Sequence, residues 1–120
     1  MLYLIEKFKK FDKYFFSIKE DAREKLGPHA FPITLKKGLS FTRDEFVSFI
    51  EKAGVDSRNL FYSMPTQCPG FAFLGHQLGE FPQAEYFGNH GLHIGVHQDL
   101  EIEDLDFVIE TVEKFLKSRY

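Results

Sequence analysis

Two apolar spacings divide the chain. Near its start Ile5, Phe8, Phe11 and Phe15 recur every three or four residues, which predicts a helix over 2–13. Residues 16–27 are polar and charged, and Gly27-Pro28 breaks the chain. Ala30-Phe31-Pro32-Ile33-Thr34-Leu35 reads as a strand, an edge or bulged one because Pro32 has no N–H to give a ladder. Thr42 and Glu45 form a T-x-x-E capping box, in which each residue satisfies a free N–H of the other's backbone. Phe46, Phe49, Ile50 and Ala53 then make one stripe and Gly54 stands where a C-terminal cap belongs, so a helix is expected over 43–53.

A short strand is expected from Ser57 to Phe61. Residues 62–82 follow, with Pro65, Pro69, Pro82, Gly70, Gly75 and Gly79, and read as a long irregular connection. From 92 to 97 the period changes to two: Leu92, Ile94 and Val96 on one face, His93, Gly95 and His97 on the other. A last helix is expected over 102–118, with Leu105, Val108, Ile109, Val112, Phe115 and Leu116 on one side and acidic residues in its first turn, favourable to the helix dipole. The order α-β-α-β-loop-β-α predicts one α+β domain over 1–120: a small three-stranded sheet, mixed or antiparallel, with helices packed on one side.

Composition adjusts this picture in a few places. The 120 residues are 43% hydrophobic and 28% charged, as a globular domain is. Fifteen Phe and five Tyr in so short a chain suggest an apolar face that meets a partner. A net charge of -3 argues against a nucleic-acid partner, which needs a basic surface. Lys7, Lys9, Lys10 and Lys13 are interleaved with Glu6 and Asp12 and read as a solvated helix face. One cysteine, Cys68, excludes an internal disulfide and fits a reducing compartment. No apolar run reaches the ~20 residues of a membrane span, and no membrane partner is expected. A cytoplasmic location follows as an expectation.

His90, His93 and His97 give H-x2-H-x3-H. On a strand His93 and His97 stand roughly 13 Å apart at ~3.3 Å per residue, too far to share a zinc ion, so no metal site is expected. Cys68 lies in a loop and reads as incidental, since a thiol nucleophile needs a base in contact and an oxyanion hole. Arg58, at the strand edge before the long connection, is suited to holding a phosphate or carboxylate; the alternative is a surface ion pair with Asp56 or a glutamate. Gln67, His93, His97 and Gln98 are polar groups able to face the same cleft.

FPITL, the T-x-x-E helix ending in Gly-Val-Asp-Ser-Arg, then LFYSMPTQ, FLG, FPQAEYFG, HIGVHQDL and a closing amphipathic helix follow one another in order. Over residues 29–118 this series resembles the C-terminal part of the DegT-type family of pyridoxal-phosphate-dependent sugar aminotransferases and deoxysugar dehydratases. The resemblance implies the small domain of a fold-type-I pyridoxal-phosphate enzyme, which closes the cleft and helps receive a sugar nucleotide. Substrate contact is implied for Arg58, Gln67, His93, His97 and Gln98. In such enzymes a large domain supplies the Schiff-base lysine; no lysine here stands in a matching motif. The resemblance therefore implies no catalytic residue and no cofactor held by this stretch alone, with pyridoxal phosphate coming from a large-domain partner. A large-domain chain, or a second copy of this one, is the implied protein partner. The rival readings are a non-catalytic module for a small ligand or protein, and an independent cysteine or metal enzyme.

Overall fold

A computed structural model describes residues 1–27, 29–60, 66 and 68–120. The first helix, α1 (Leu2–Phe8), tightens into a 3-10 turn (Lys9–Phe11). Then come β1 (Phe15–Ser17), β2 (Ala30–Leu35), α2 (Arg43–Lys52), β3 (Ser57–Asn59), a 3-10 segment (Pro69–Leu74), α3 (Pro82–His90), β4 (Gly91–Gly95) and α4 (Ile102–Lys117). The expected break at Pro28, the end of the second expected strand at Phe61 and most of the turn from Tyr62 to Gln67 lie outside the described residues.

The sheet has four strands in the order β1-β2-β4-β3, every pair antiparallel. The α+β class holds, and the expected strand count of three becomes four. The extra strand comes from the end of the first apolar stripe: the chain leaves the 3-10 turn and pairs Phe15 with Leu35 and Ser17 with Ile33. β2 is an interior strand rather than an edge. Pro32 is tolerated because it lies beyond the last β1 pairing, where that flank of β2 is open.

Strand alternation sends Phe31, Ile33, Leu35, Leu92 and Ile94 to one buried face. Phe8 of α1 meets Phe31 at 4.7 Å between ring centres, and Phe46 of α2 meets both Phe15 and Phe115 at 5.1 Å. Much of the aromatic surplus is therefore core. The capping box of α2 is formed as expected: Thr42 Oγ1 accepts from the Glu45 N–H at 3.2 Å, and Glu45 Oε2 accepts from the Thr42 N–H at 2.8 Å.

The described part of the 62–82 connection is less irregular than its prolines suggest. Pro69–Leu74 is a 3-10 segment that ends at Gly75 in the left-handed region. Pro82 opens α3, a helix the periodicity did not signal; proline suits a first turn because its missing N–H would have no helical partner there. Phe73, Leu74 and Leu78 in this stretch are exposed.

Candidate functional site

On the sheet face opposite the core, register decides which side chains are neighbours. β3 pairs Arg58 directly with His93 of β4, and β2 places Pro32 on the other side of His93. Directly opposed residues hold their Cβ atoms about 4.5–5.5 Å apart, so Arg58 and His93 share one patch. His29, just before β2, sets its ring edge-on to that of His93, with centroids 6.3 Å apart. Arg58 is exposed, and its Nη1 donates to Asp56 Oδ1 and to the Ser57 carbonyl. Burial, then the neighbouring His29 and Arg58, push the His93 imidazole below its ordinary pKa. Each of these makes a second positive charge unfavourable there.

The other expected site residues are distributed differently. β4 ends at Gly95, and with it the alternation that would have kept His97 on the face of His93. His97 instead lines a cavity of about 310 Å³ on the α4 side, with Gly54, Asp56, Leu100 and Phe107. Its Nδ1 accepts from the Asp99 N–H at 3.3 Å. Gln98 is exposed in the turn before α4. Gln67 lies outside the described residues. Of the five expected residues, the structure brings together Arg58 and His93.

Glu85 and Tyr86, within the stretch FPQAEYFG, carry structural tasks that periodicity does not reveal. Glu85 is a buried carboxylate whose oxygens accept from the Gly79 N–H at 2.9 and 3.0 Å and from the Phe81 N–H at 3.4 Å. Burial raises its pKa. The hydrogen bonds it accepts, among them those from the Gly79 and Phe81 N–H groups, outweigh burial, so the group stays below the usual glutamate range. It thereby ties the end of the long connection to α3. Tyr86 donates to the Leu35 carbonyl at 2.6 Å and stacks on His90 at 4.3 Å, and burial pushes its phenol up. Gly91, at the joint of α3 and β4, has no room for a side chain, since a Cβ would lie 2.4 Å from the Phe87 carbonyl oxygen.

The residues present do not fit pyridoxal phosphate as a resident group. A Schiff-base lysine must be desolvated against the cofactor, yet every lysine is exposed except Lys36, which is half-buried and donates to the Asp12 carbonyl. Among the described residues no group of three or more His, Cys, Asp or Glu side chains is placed to hold a metal ion. Cys68 is half-buried ahead of the 3-10 segment. No helix among the described residues is long and apolar enough to cross a membrane.

Comparison with known proteins agrees with the order of motifs. The chain is 34% identical over 98 residues to the lipopolysaccharide biosynthesis protein RfbH of Salmonella typhimurium, covering 79% of this chain and 22% of that protein. It is 32% identical over 93 residues to the GDP-perosamine synthase of Caulobacter vibrioides, covering 75% and 24%. The chain thus spans about a quarter of the length of these curated relatives. Among solved structures, a putative sugar aminotransferase from Streptococcus pneumoniae superposes with a TM-score of 0.80 at 18% identity, over 99% of this chain and 30% of that one. A GDP-4-keto-6-deoxymannose-3-dehydratase superposes with a TM-score of 0.70 at 21% identity, over 92% and 28%. Both likenesses show the fold. The model of the DegT/DnrJ/EryC1/StrS aminotransferase family matches residues 2–113, nearly the whole chain, and the protein belongs to that family.

Proposed function

We propose that these residues act as the small domain of a sugar-nucleotide aminotransferase-like enzyme. They supply contacts on the substrate side and help close the cleft, while pyridoxal phosphate and its lysine come from a large domain, in the same polypeptide or in a partner chain. The observation that carries this reading is the pairing of Arg58 with His93 on the open face of the sheet. An arginine fork beside an imidazole is suited to an anionic ligand. The exposed Phe73, Leu74 and Leu78 support it as well, being apolar surface that a neighbouring domain would cover. Within this stretch no side chain carries a step of transamination, because no lysine is buried as a Schiff base requires.

The reading is tested by titrating the isotope-labelled chain with a nucleoside-diphosphate sugar such as GDP-mannose and following amide shifts. Changes centred on Arg58 and His93, reaching His97 and Gln98, are expected. In parallel, the protein is purified from its source and its absorbance recorded. A copurifying chain or domain bearing a yellow, borohydride-reducible cofactor is expected. A colourless protein whose spectra do not respond to the sugar nucleotide would leave the reading without support and turn attention to a non-catalytic binding module.

A further inference from the structure

The open face of the sheet carries nitrogen donors with no acceptor among the described residues. The rings of His29 and His93 stand edge to face, with centroids 6.3 Å apart, and Arg58 is paired in register with His93. No ring nitrogen of either histidine has a hydrogen-bond partner among the described residues. Arg58 spends only Nη1 on the chain, on Asp56 and the Ser57 carbonyl, so Nε and Nη2 are without a partner among the described residues. Those two atoms form the edge with which a guanidinium grips an oxyanion by two parallel bonds.

Charge narrows the class of ligand. Asp56 is the carboxylate in contact with this cluster, and it offsets Arg58. With both imidazoles protonated, two positive charges are left uncompensated. Without a ligand that state is unfavourable, as the lowered pKa of His93 shows. A dianion placed among the three groups would reverse the balance, accepting from each and favouring the protonated rings. A monocarboxylate would match half of that charge.

We propose that His29, His93 and Arg58 form a subsite for a phosphoryl dianion, with His29 as a ligand-contacting residue. The biological ligand rests on the reading of this face as the substrate side, where the diphosphate of a sugar nucleotide is the candidate; the anion chemistry rests on the cluster itself. Binding favours the protonated His93 ring, so affinity falls as pH rises through the pKa of that ring in the bound state.

The test is a titration of the full chain with inorganic pyrophosphate at low ionic strength, since salt screens exposed charges, reading the histidine side-chain resonances. Expected are shifts at His29 and His93, with the His93 ring titrating at higher pH than in the free protein. Arg58→Gln and His29→Gln are each expected to bind about ten-fold more weakly, the scale of one lost hydrogen bond to a charged group. Both positions are exposed, so these variants should fold. Lys7→Gln, in the basic stretch of α1, should bind as the parent does. Unchanged affinity in both cluster variants, or shifts centred on Lys7 to Lys13, would overturn the subsite. An equal response to acetate at matched ionic strength would overturn the dianion assignment. GDP-mannose separates the two readings. If it binds no better than pyrophosphate but still needs His29 and Arg58, the subsite stands and the substrate-side reading fails. If it binds without needing either residue, the subsite falls and the substrate-side reading stands.

Discussion

Gly91→Ala tests whether the joint between α3 and β4 is as tight as its geometry indicates. The backbone there is ordinary extended chain, φ -97 and ψ 149, which alanine adopts freely, so any loss must be steric. The added Cβ would lie 2.4 Å from the Phe87 carbonyl oxygen and 2.8 and 2.9 Å from Leu60 Cδ2 and Cβ. Leu60 can turn its Cδ2 away, but its Cβ is fixed by the backbone and the carbonyl is held by the Gly91 N–H that donates to it. The Gly91 carbonyl in turn accepts from the Leu60 N–H at 3.3 Å, so retreat of the strand strains a second bond. Overpacking of this kind costs about 1–3 kcal/mol. Loss of glycine's freedom in the unfolded chain returns about 0.4–1 kcal/mol. The net expectation is a loss of about 1–2 kcal/mol, a fall in Tm on the order of 5–10 °C for a domain of this size. Gly95→Ala is the matched control: it sits on the same strand and its Cβ would meet nothing within 4 Å. It should be neutral or stabilising by up to about 1 kcal/mol. Urea and thermal unfolding of the two variants decide the matter. If both unfold within about 0.5 kcal/mol of each other, the ordinary scatter of surface changes, the steric argument is refuted. His93 lies two residues from both sites, so a displaced strand should move its amide shift more in Gly91→Ala, where the Cβ clashes, than in Gly95→Ala, where it meets nothing.

Phe46→Ala removes a fully buried ring packed on Phe15 and Phe115; urea unfolding should show a loss of about 3–5 kcal/mol. Glu85 has a lowered pKa, so the native state binds fewer protons than the unfolded chain as pH falls through the window below about 4.5, and stability drains away there. Glu85→Gln should flatten the acid limb of the urea midpoint against pH relative to the parent, and unchanged limbs would mean that the carboxylate does not anchor the connection. Arg58→Gln removes one cause of the lowered His93 pKa, so an NMR titration should find that pKa closer to the ordinary histidine value. The direction has a consequence for stability: a histidine held below its unfolded pKa near 6.5 favours folding fully above that pH and less as pH falls through it.

Elements with a strong local signal were legible from residue order. α2 could be placed by its capping box and its glycine, and α4 by its long stripe, each within a residue or so of the observed bounds. β2 was placed at the observed bounds and β4 within two residues, because one face of each is buried and alternation follows from that. α3 was not found, although Pro82 is a start signal, since its polar and glycine-containing sequence presents a weak stripe and only Glu85 and Gly88 are buried. β1 was missed because its three residues close the first helical stripe, and Phe15 fits a helix period and a strand equally well.

The candidate site follows the same division. Arg58 and His93 could each be singled out from chemistry and position, and the family from the order of the motifs. That they are neighbours, that His29 joins them, and that His97 turns to the α4 side could not be read from the chain. Those relations depend on strand order β1-β2-β4-β3 and on where β4 stops, and both are set by packing between segments far apart in the chain. Propensity and period act over a few residues and determine which segments are helix or strand. Register between distant strands is decided by which pairing buries Phe31, Ile33, Leu92 and Ile94 together, and a shift of one residue would put His93 into the core.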